Sequence, residues 1–128
     1  MTQFILVRHG ETNWSLEKRY QGHSDILLSL EGIRNVQALT FHLKTLDLDV
    51  LYSSSLKRAC QSSDIISAQI GLRARIDSRL NELNFGAWEG KTAEQLISEK
   101  DKSFTSWIKG RWHTPPGGES VQSLQRRI

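Results

Sequence analysis

Two segments of this 128-residue sequence combine basic side chains with a group that can attack an electrophile. The first segment is Arg8, His9 and Gly10, and the second is Arg58, which follows three consecutive serines at residues 53–55. A guanidinium group can donate two parallel hydrogen bonds to phosphate oxygens, and a neutral imidazole nitrogen can attack phosphorus in line. Gly10 adds a backbone that an anion can approach closely. These groups together predict phosphoryl chemistry.

Both segments are predicted to follow buried β-strands. Residues 4–7 (FILV) form a short apolar run with β-branched side chains, and residues 49–53 (DVLYS) form a second run. Such runs are typical of strands that are buried on both faces. Because ligands of open α/β sheets bind at the carboxyl ends of the strands, we expect His9 and Arg58 to lie close together. A weaker strand is predicted over residues 73–76.

Helical signals separate the predicted strands. After Ser29, a good N-cap residue, apolar side chains recur at helical spacing over four turns. These side chains are Ile33, Val36, Leu39, Leu43 and Leu46. A second helix is predicted between a serine cap at residues 54–55 and Gly71, and a third begins with a capping box of Thr92 and Gln95. Strands that alternate with helices predict an α/β fold with a largely parallel sheet.

The remaining segments are predicted to be loops and turns. Residues 11–29 keep no single period and form a loop that is too long to be a mere connector, and residues 84–90 form another. Residues 115–118 (PPGG) form a turn that cannot continue a helix. Glu119 and Ser120 then open a further helix of about two turns before the last residue.

Composition favours a small anionic ligand. The formal net charge is +3, but the basic residues are spread along the chain and form no stripe that would bind nucleic acid. The single cysteine, Cys60, cannot form an internal disulfide and is expected to be a small packed residue. The sequence has neither a secretory signal nor the ~18 consecutive apolar residues of a membrane span, so we expect a cytoplasmic protein without a membrane partner.

The histidines do not form a metal-binding motif. His9, His23, His42 and His113 make no paired spacing with cysteine or carboxylate, so we predict that the protein uses no metal and no cofactor. His42 is expected to lie on a helix surface. His23 follows the segment at residues 20–22 and is a candidate substrate contact.

At this point the sequence resembles a known family, the histidine phosphatase (phosphoglycerate mutase-like) superfamily. The resemblance is carried by ordered segments at residues 7–12 (VRHGET), 20–22 (YQG), 28–32 (LSLEG), 53–59 (SSSLKRA), 81–90 (NELNFGAWEG) and 116–120 (PGGES). The NFGAWEG segment is more similar to the phosphatase branch, which includes alpha-ribazole phosphatase, than to the mutases. The resemblance implies a three-layer sandwich with a largely parallel sheet.

The resemblance also implies roles for individual residues. His9 is then the residue that is phosphorylated, and Arg8 and Arg58 bind the phosphoryl group. Glu82 donates a proton to the leaving oxygen and later helps to activate water. Its apolar neighbours suggest a partly buried carboxyl group with a raised proton affinity. The matching segments add Gln21 and Gly22 as substrate-binding residues.

Two departures from the family pattern affect these expectations. Ser15 stands where many relatives have asparagine, so a phosphate contact expected there is weaker or moved. The family has a second active-site histidine after a later strand, and this chain has no counterpart, since His113 lies in a different context. Residues 1–128 are therefore expected to be the N-terminal part of a single domain that is truncated at its C-terminus.

These inferences predict a metal-independent phosphomonoesterase that acts on a small phosphate ester through a phosphohistidine. Two alternatives stay open, which are phosphoryl transfer of the phosphoglycerate mutase type and a truncated, non-enzymatic remnant that only binds anions. The sequence does not identify the ester or the oligomeric state.

Overall fold

Six helices and a short parallel sheet, on which one of the helices packs, make up the computed structural model, which describes all residues 1–128. The helices are α1 (Asn13–Leu16), α2 (Leu30–Leu43), α3 (Lys57–Ile70), α4 (Ala93–Ser98), α5 (Lys102–Trp107) and α6 (Val121–Arg127). The strands are β1 (Leu51–Ser53) and β2 (Ala74–Ile76), and single 3-10 turns lie at Ser78–Leu80 and Gly86–Trp88. The predicted α/β class with parallel pairing is confirmed.

Helix α2 forms as its sequence predicts. The Ser29 hydroxyl accepts a hydrogen bond from the backbone N–H of Gly32 and so satisfies one of the free donors of the first turn. Val36 and Leu43 are buried on the face that packs against α3, where they contact Ile66. Burial of this stripe stabilises the helix more than its intrinsic propensity does.

The unit β1–α3–β2 gives the sheet its parallel pairing. Leu51 pairs with Ala74 and Ser53 with Ile76, and α3 crosses between the two strands. Both strands are shorter than predicted, and β1 is not buried on both faces, since the side chain of Tyr52 is exposed.

Helix α3 begins without a side-chain cap and ends at a glycine. Its N-cap is Leu56, which makes no side-chain cap, so the predicted cap at residues 54–55 is wrong. Asp25 Oδ1 instead accepts a hydrogen bond from the Lys57 N–H. At the other end Gly71 adopts a left-handed φ of 77°, as the predicted glycine stop requires.

Residues 4–7 do not form the predicted strand. Phe4 and Leu6 are 83% and 93% exposed, and none of the first nine residues makes a backbone hydrogen bond. A strand is held by the hydrogen-bond ladder to its neighbours, and in this structure the ladder joins only β1 and β2. An apolar, β-branched run is therefore not sufficient to form a strand.

Two separate apolar clusters form the core. The aliphatic cluster consists of Leu28, Val36, Leu43 and Ile66 between α2 and α3. The aromatic cluster consists of Trp88, Leu96 and Phe104, with Tyr20, Phe85 and Trp107 packed around them. Its rings meet edge to face, as in the pair Trp88–Phe104 with centroids 5.2 Å apart.

The elements around the aromatic cluster were only partly predicted. The capping box of Thr92 and Gln95 opens α4 as expected. Helix α5 was not predicted; it begins at Asp101, whose Oδ1 accepts from the Phe104 N–H and whose Oδ2 accepts from Trp88 Nε1. Helix α6 begins after Ser120, as predicted.

Cys60 lies half-buried in α3, in agreement with its predicted packing role. Its Sγ donates a hydrogen bond to the carbonyl oxygen of Ser54 at 3.3 Å. Burial raises the pKa of the thiol, and the nearby charges of Asp64 and Asp25 act in the same direction. None of the helices of the fold is long and apolar enough to cross a membrane.

Candidate active site

His9 lies half-buried between α2, α3 and the segment that carries Glu82. Its Nδ1 is 2.7 Å from the carbonyl oxygen of Gly10. A carbonyl can only accept, so Nδ1 carries the proton and Nε2 keeps a free lone pair. Burial lowers the pKa of His9 below its ordinary value of 6.5; the charges of Arg58 and Arg8 add to this, and the Gly10 carbonyl and Glu82 oppose it. The lowered pKa favours the neutral form of the ring.

Gly10 makes close contacts with helices α2 and α3. Its N–H donates to Ser62 Oγ at 3.0 Å, so this donor is not free for an anion. A Cβ at this position would lie 2.7 Å from the Gly32 oxygen and 2.8 Å from a methyl group of Val36. The close approach to helix α2 therefore requires glycine at this position.

Arg58 is 1% exposed, so its guanidinium group is almost completely buried. Its Nη1 donates to the Ser24 oxygen at 3.0 Å and its Nη2 to the Gly22 oxygen at 2.8 Å, while its Nε has no partner. Burial lowers the pKa of Arg58, and the charges of Glu82, Glu89 and Asp25 oppose this. A buried guanidinium with a free N–H is suited to hold an anion.

Ser15 is engaged within the backbone. Its hydroxyl donates to the Thr12 oxygen at 2.8 Å and accepts from the Thr12 N–H at 2.9 Å, which forms the capping box of α1. A hydroxyl has one proton, so Ser15 has none left for a phosphate oxygen. Gln21 is joined to the same residue, since its Oε1 accepts from Thr12 Oγ1 at 2.8 Å. The two side chains brace the loop.

Gly22 is the first residue of a tight turn, residues 22–24, which we call the arginine turn because two of its carbonyls hold Arg58. Gly22 has a left-handed φ of 51°, which glycine adopts without steric cost. His23 is exposed, and its Nε2 lies 2.8 Å from the backbone oxygen of Glu82. The predicted site residue Gly22 thus supports Arg58 through its carbonyl oxygen.

Glu82 is exposed, so the partial burial predicted for its carboxyl group is not found. Its charge acts on both His9 and Arg58, which places the three groups in one electrostatic environment. The preceding residue, Asn81, accepts hydrogen bonds through Oδ1 from the N–H and the hydroxyl of Ser55. The end of β1 is thereby linked to the segment that carries the carboxylate.

Arg127 was not singled out in the sequence, although it contacts the backbone beside Glu82. Its Nη2 donates to the oxygens of Asn81 at 2.8 Å and Glu82 at 3.0 Å, and its Nε donates to Glu119 Oε1 at 2.7 Å. The Glu119 carboxylate and Arg127 form a partly buried ion pair. Glu119 lies in the matched PGGES segment, but nothing in the sequence indicates its partner eight residues later.

Arg8 lies on the open side of the site. It is exposed and lines a surface cavity of about 220 Å³ together with Lys18 and Arg19. Arg19 is paired with Glu17 and also donates to the Gly90 oxygen. The cavity adds positive charge next to the loop that follows His9, which favours an anion there.

The parallel α/β unit places a half-buried histidine in one electrostatic environment with a buried and an exposed arginine, an arrangement suited to hold an anion. The model of the histidine phosphatase superfamily (branch 1) matches residues 4–128, and the chain belongs to this family.

Curated relatives include proteins named "Probable phosphoglycerate mutase GpmB". The one from Escherichia coli O1:K1 is 36% identical over 129 residues, and the alignment covers 100% of this chain and 60% of the relative. The one from Salmonella choleraesuis is 35% identical over the same shares. The chain thus spans about 60% of the length of these relatives.

Solved structures with the same fold include phosphatases. The alpha-ribazole phosphatase from Shigella flexneri superposes with a TM-score of 0.84 at 30% identity, over 94% of this chain and 60% of that one. A mycobacterial glucosyl-3-phosphoglycerate phosphatase in complex with VO3 has a TM-score of 0.85 at 30% identity, over 93% and 57%. The predicted family is therefore confirmed.

Proposed function

We propose that the protein is a metal-independent phosphomonoesterase that acts on a small phosphate ester through a phosphohistidine on His9. The observation that carries this proposal is the 2.7 Å contact between His9 Nδ1 and the Gly10 oxygen. Because the carbonyl oxygen accepts, this contact assigns the proton to Nδ1 and leaves the Nε2 lone pair free. The lowered His9 pKa favours the unprotonated lone pair that a nucleophile needs. Family membership and the phosphatase structures support the same reaction class.

In the first step Nε2 of His9 bonds to phosphorus while the bond from phosphorus to the ester oxygen breaks. Arg58 and Arg8 stabilise the negative charge on the equatorial oxygens, which is the role that a metal ion fills in other phosphoryl-transfer sites. The carboxyl group of Glu82 gives its proton to the leaving oxygen. The products are an alcohol and His9 with a phosphoryl group on Nε2.

In the second step water releases the phosphoryl group. The water oxygen bonds to phosphorus as the N–P bond breaks, and the Glu82 carboxylate takes the proton of the water. Inorganic phosphate leaves, and the carboxyl group is again protonated for the next cycle. The exposure of Glu82 gives water access to this base.

Hydrolysis of p-nitrophenyl phosphate in the presence of EDTA tests the proposal. We expect turnover by the full chain, a phosphoryl group on His9 that is stable to base and labile to acid, and loss of both in His9→Gln. Phosphorylation of another residue, or activity that requires added divalent metal, would contradict the proposal. A pH-rate profile of Glu82→Gln that matches the parent would remove Glu82 from the mechanism.

A mutase is the second candidate, and it is favoured by the 36% identity to the proteins named phosphoglycerate mutase. Mutase and phosphatase share the same first step and differ in whether water or a second substrate hydroxyl takes the phosphoryl group. Proton NMR of 3-phosphoglycerate incubated with the chain separates them, because a mutase forms 2-phosphoglycerate whereas a phosphatase forms glycerate. A chain that binds phosphate and performs neither reaction would be a non-enzymatic anion-binding protein.

A further inference from the structure

Glu89 is the acceptor that holds the arginine turn. Its Oε1 accepts from the His23 N–H at 2.8 Å and from the Phe85 N–H at 3.1 Å, and its Oε2 accepts from the Ser24 hydroxyl. Two of these three donors belong to the turn, and the third belongs to the loop after Glu82. One carboxylate thus joins the arginine turn to the loop after Glu82.

The Glu89 carboxylate also restricts the arginine turn by direct packing. A Cβ added to Gly22 would lie 2.1 Å from Glu89 Oε1, so the carboxylate packs directly against the backbone of the turn. The arginine turn also fixes Arg58, because the Gly22 oxygen accepts from Nη2 and the Ser24 oxygen accepts from Nη1. A movement of the Glu89 carboxylate would therefore be passed to the guanidinium group.

The same turn also reaches Glu82. His23 Nε2 lies 2.8 Å from the Glu82 backbone oxygen, and since a carbonyl accepts, Nε2 carries the proton. Glu89 is also one of three carboxylates, with Glu82 and Asp25, whose negative charge offsets the burial of the Arg58 cation. The group thus acts on Arg58 both through hydrogen bonds and through charge.

We propose that Glu89 is a positioning residue: its carboxylate holds the arginine turn, and the turn aims the buried guanidinium of Arg58 at the phosphoryl group bound beside His9. The inference rests on the proposed function for the identity of the bound group. It does not depend on turnover, because the direction of Arg58 affects phosphate binding and the titration of His9 whether or not the chain is active.

Three variants separate position from charge. Glu89→Ala removes every acceptor, and Glu89→Gln keeps an oxygen for the His23 and Phe85 N–H groups but loses the charge, with its amide able to donate to Ser24 Oγ. Glu94→Gln is the matched control, since Glu94 is exposed in the first turn of α4 and makes no hydrogen bond through its side chain. Glu89→Asp replaces the alanine variant if that variant does not fold.

The first measurement is binding of inorganic phosphate to the full chain, followed by 31P NMR or calorimetry. We expect Glu89→Ala to weaken binding by about tenfold or more, because unsatisfied donors and a displaced guanidinium each reduce affinity. Glu89→Gln should stay within about threefold of the parent, since the acceptor geometry is kept. Equal affinities for Glu89→Ala and the Glu94→Gln control would overturn the proposal.

The second measurement is an NMR titration of the His9 ring, which needs neither turnover nor bound phosphate. The charges that act on His9 are those of Arg58, Arg8 and Glu82, and Arg58 lowers its pKa. If Glu89→Ala lets Arg58 move away, the His9 pKa rises, whereas in Glu89→Gln and the control it stays at the parent value. A His9 pKa that is unchanged in Glu89→Ala contradicts the positioning role.

The two proposals fail separately. If the parent hydrolyses no ester while Glu89→Ala still raises the His9 pKa, the proposed function is wrong and the positioning role stands. If the parent is active and Glu89→Ala matches it in phosphate affinity and in the His9 titration, the positioning role is wrong and the proposed function stands.

Discussion

The two apolar clusters of the molecule differ in how completely they are closed. Trp88, Leu96 and Phe104 in the aromatic cluster are 0% exposed, and rings enclose them on several sides. The aliphatic cluster is covered by α2 and α3, but the neighbouring sheet leaves Tyr52 and Ile76 about half exposed, at 52% and 51%. Closure by large rings removes more apolar surface per residue than a two-stranded sheet can.

The candidate site is divided between the two clusters. Arg58 lies on α3 and the residue after His9 packs on α2, so the nucleophile and the buried cation are supported by the aliphatic side. Glu82 and Glu89 precede and follow the loop that carries Phe85 into the aromatic cluster. The arginine turn connects the two sides through its hydrogen bonds to Arg58 and Glu89. The site is therefore a junction between two packed bodies, and damage to either side should have a distinct signature.

The largest expected effect follows from opening the aromatic cluster. Trp88→Ala should lower the free energy of unfolding by about 3–5 kcal/mol, because it removes a fully buried indole and leaves a cavity. The donor to Asp101 is lost as well. Urea denaturation measures the change. Trp112→Ala is the control, since Trp112 is 61% exposed and should change stability by less than about 0.5 kcal/mol. A similar small change in both variants would mean that the cluster is not a stabilising core.

Arg58→Met should act on the other side and chiefly on chemistry. Methionine fills the buried space but donates to neither the Gly22 nor the Ser24 oxygen, so ester turnover should fall by about 100- to 1000-fold. Steady-state hydrolysis measures this. Arg34→Met is the matched control because the Arg34 side chain is 73% exposed on α2. Turnover of Arg58→Met that stays within a few-fold of Arg34→Met would remove Arg58 from the proposed reaction.

Arg127→Met should affect the segment that carries Glu82 and leave the phosphate contact of Arg58 unchanged. The loss of donors to the Asn81 and Glu82 oxygens frees the segment of Glu82, so kcat should fall by about tenfold, which is about 1.4 kcal/mol. Phosphate affinity should hardly change, since Arg58 keeps its contacts. Arg126→Met on the same helix is the control. A fall in phosphate affinity without a change in kcat would show that the two sides are not separable.

The smallest expected effect concerns charge beside His9. The His9 pKa is lowered in the folded state, so the unfolded chain binds more protons as the pH falls through 6.5 toward the lower folded pKa, and this residue's contribution to stability decreases over that interval. Arg8→Gln removes one of the positive charges that lower this pKa and should raise it toward 6.5. An NMR titration measures the change. A downward shift would contradict the electrostatic assignment.

The sequence predicted those elements whose signals are local. Ser29, Gly71 and the box of Thr92 and Gln95 cap helices through contacts within a few residues, so short-range patterns located them. Residues 4–7 failed because a strand needs partners that a local pattern does not contain. Helix α5 was not predicted although its Asp101 cap is local, since the helix has only six residues and too few turns to show a period.

The candidate site shows the same division. His9, Arg58 and Glu82 lie in short motifs that can be recognised in the sequence. The roles of Glu89 and Arg127 depend on hydrogen bonds to the turn and to the backbone of residues 79–82, and the partners are tens of residues away. Ser15 and Gly10 were predicted as ligand contacts from their position, but their donors are taken by Thr12 and Ser62. Backbone donors and acceptors have no sequence signature, so the contacts of Glu89 and Arg127 were not predictable.

The thiol of Cys60 can report local opening between β1 and α3. Its proton is held by the Ser54 oxygen, and its raised pKa keeps the reactive thiolate scarce at neutral pH. Alkylation by iodoacetamide should therefore be slow and should proceed mainly when the residues between β1 and Arg58 open transiently. The single thiol is thus an intrinsic chemical label, and its alkylation rate measures how often the segment around Arg58 opens.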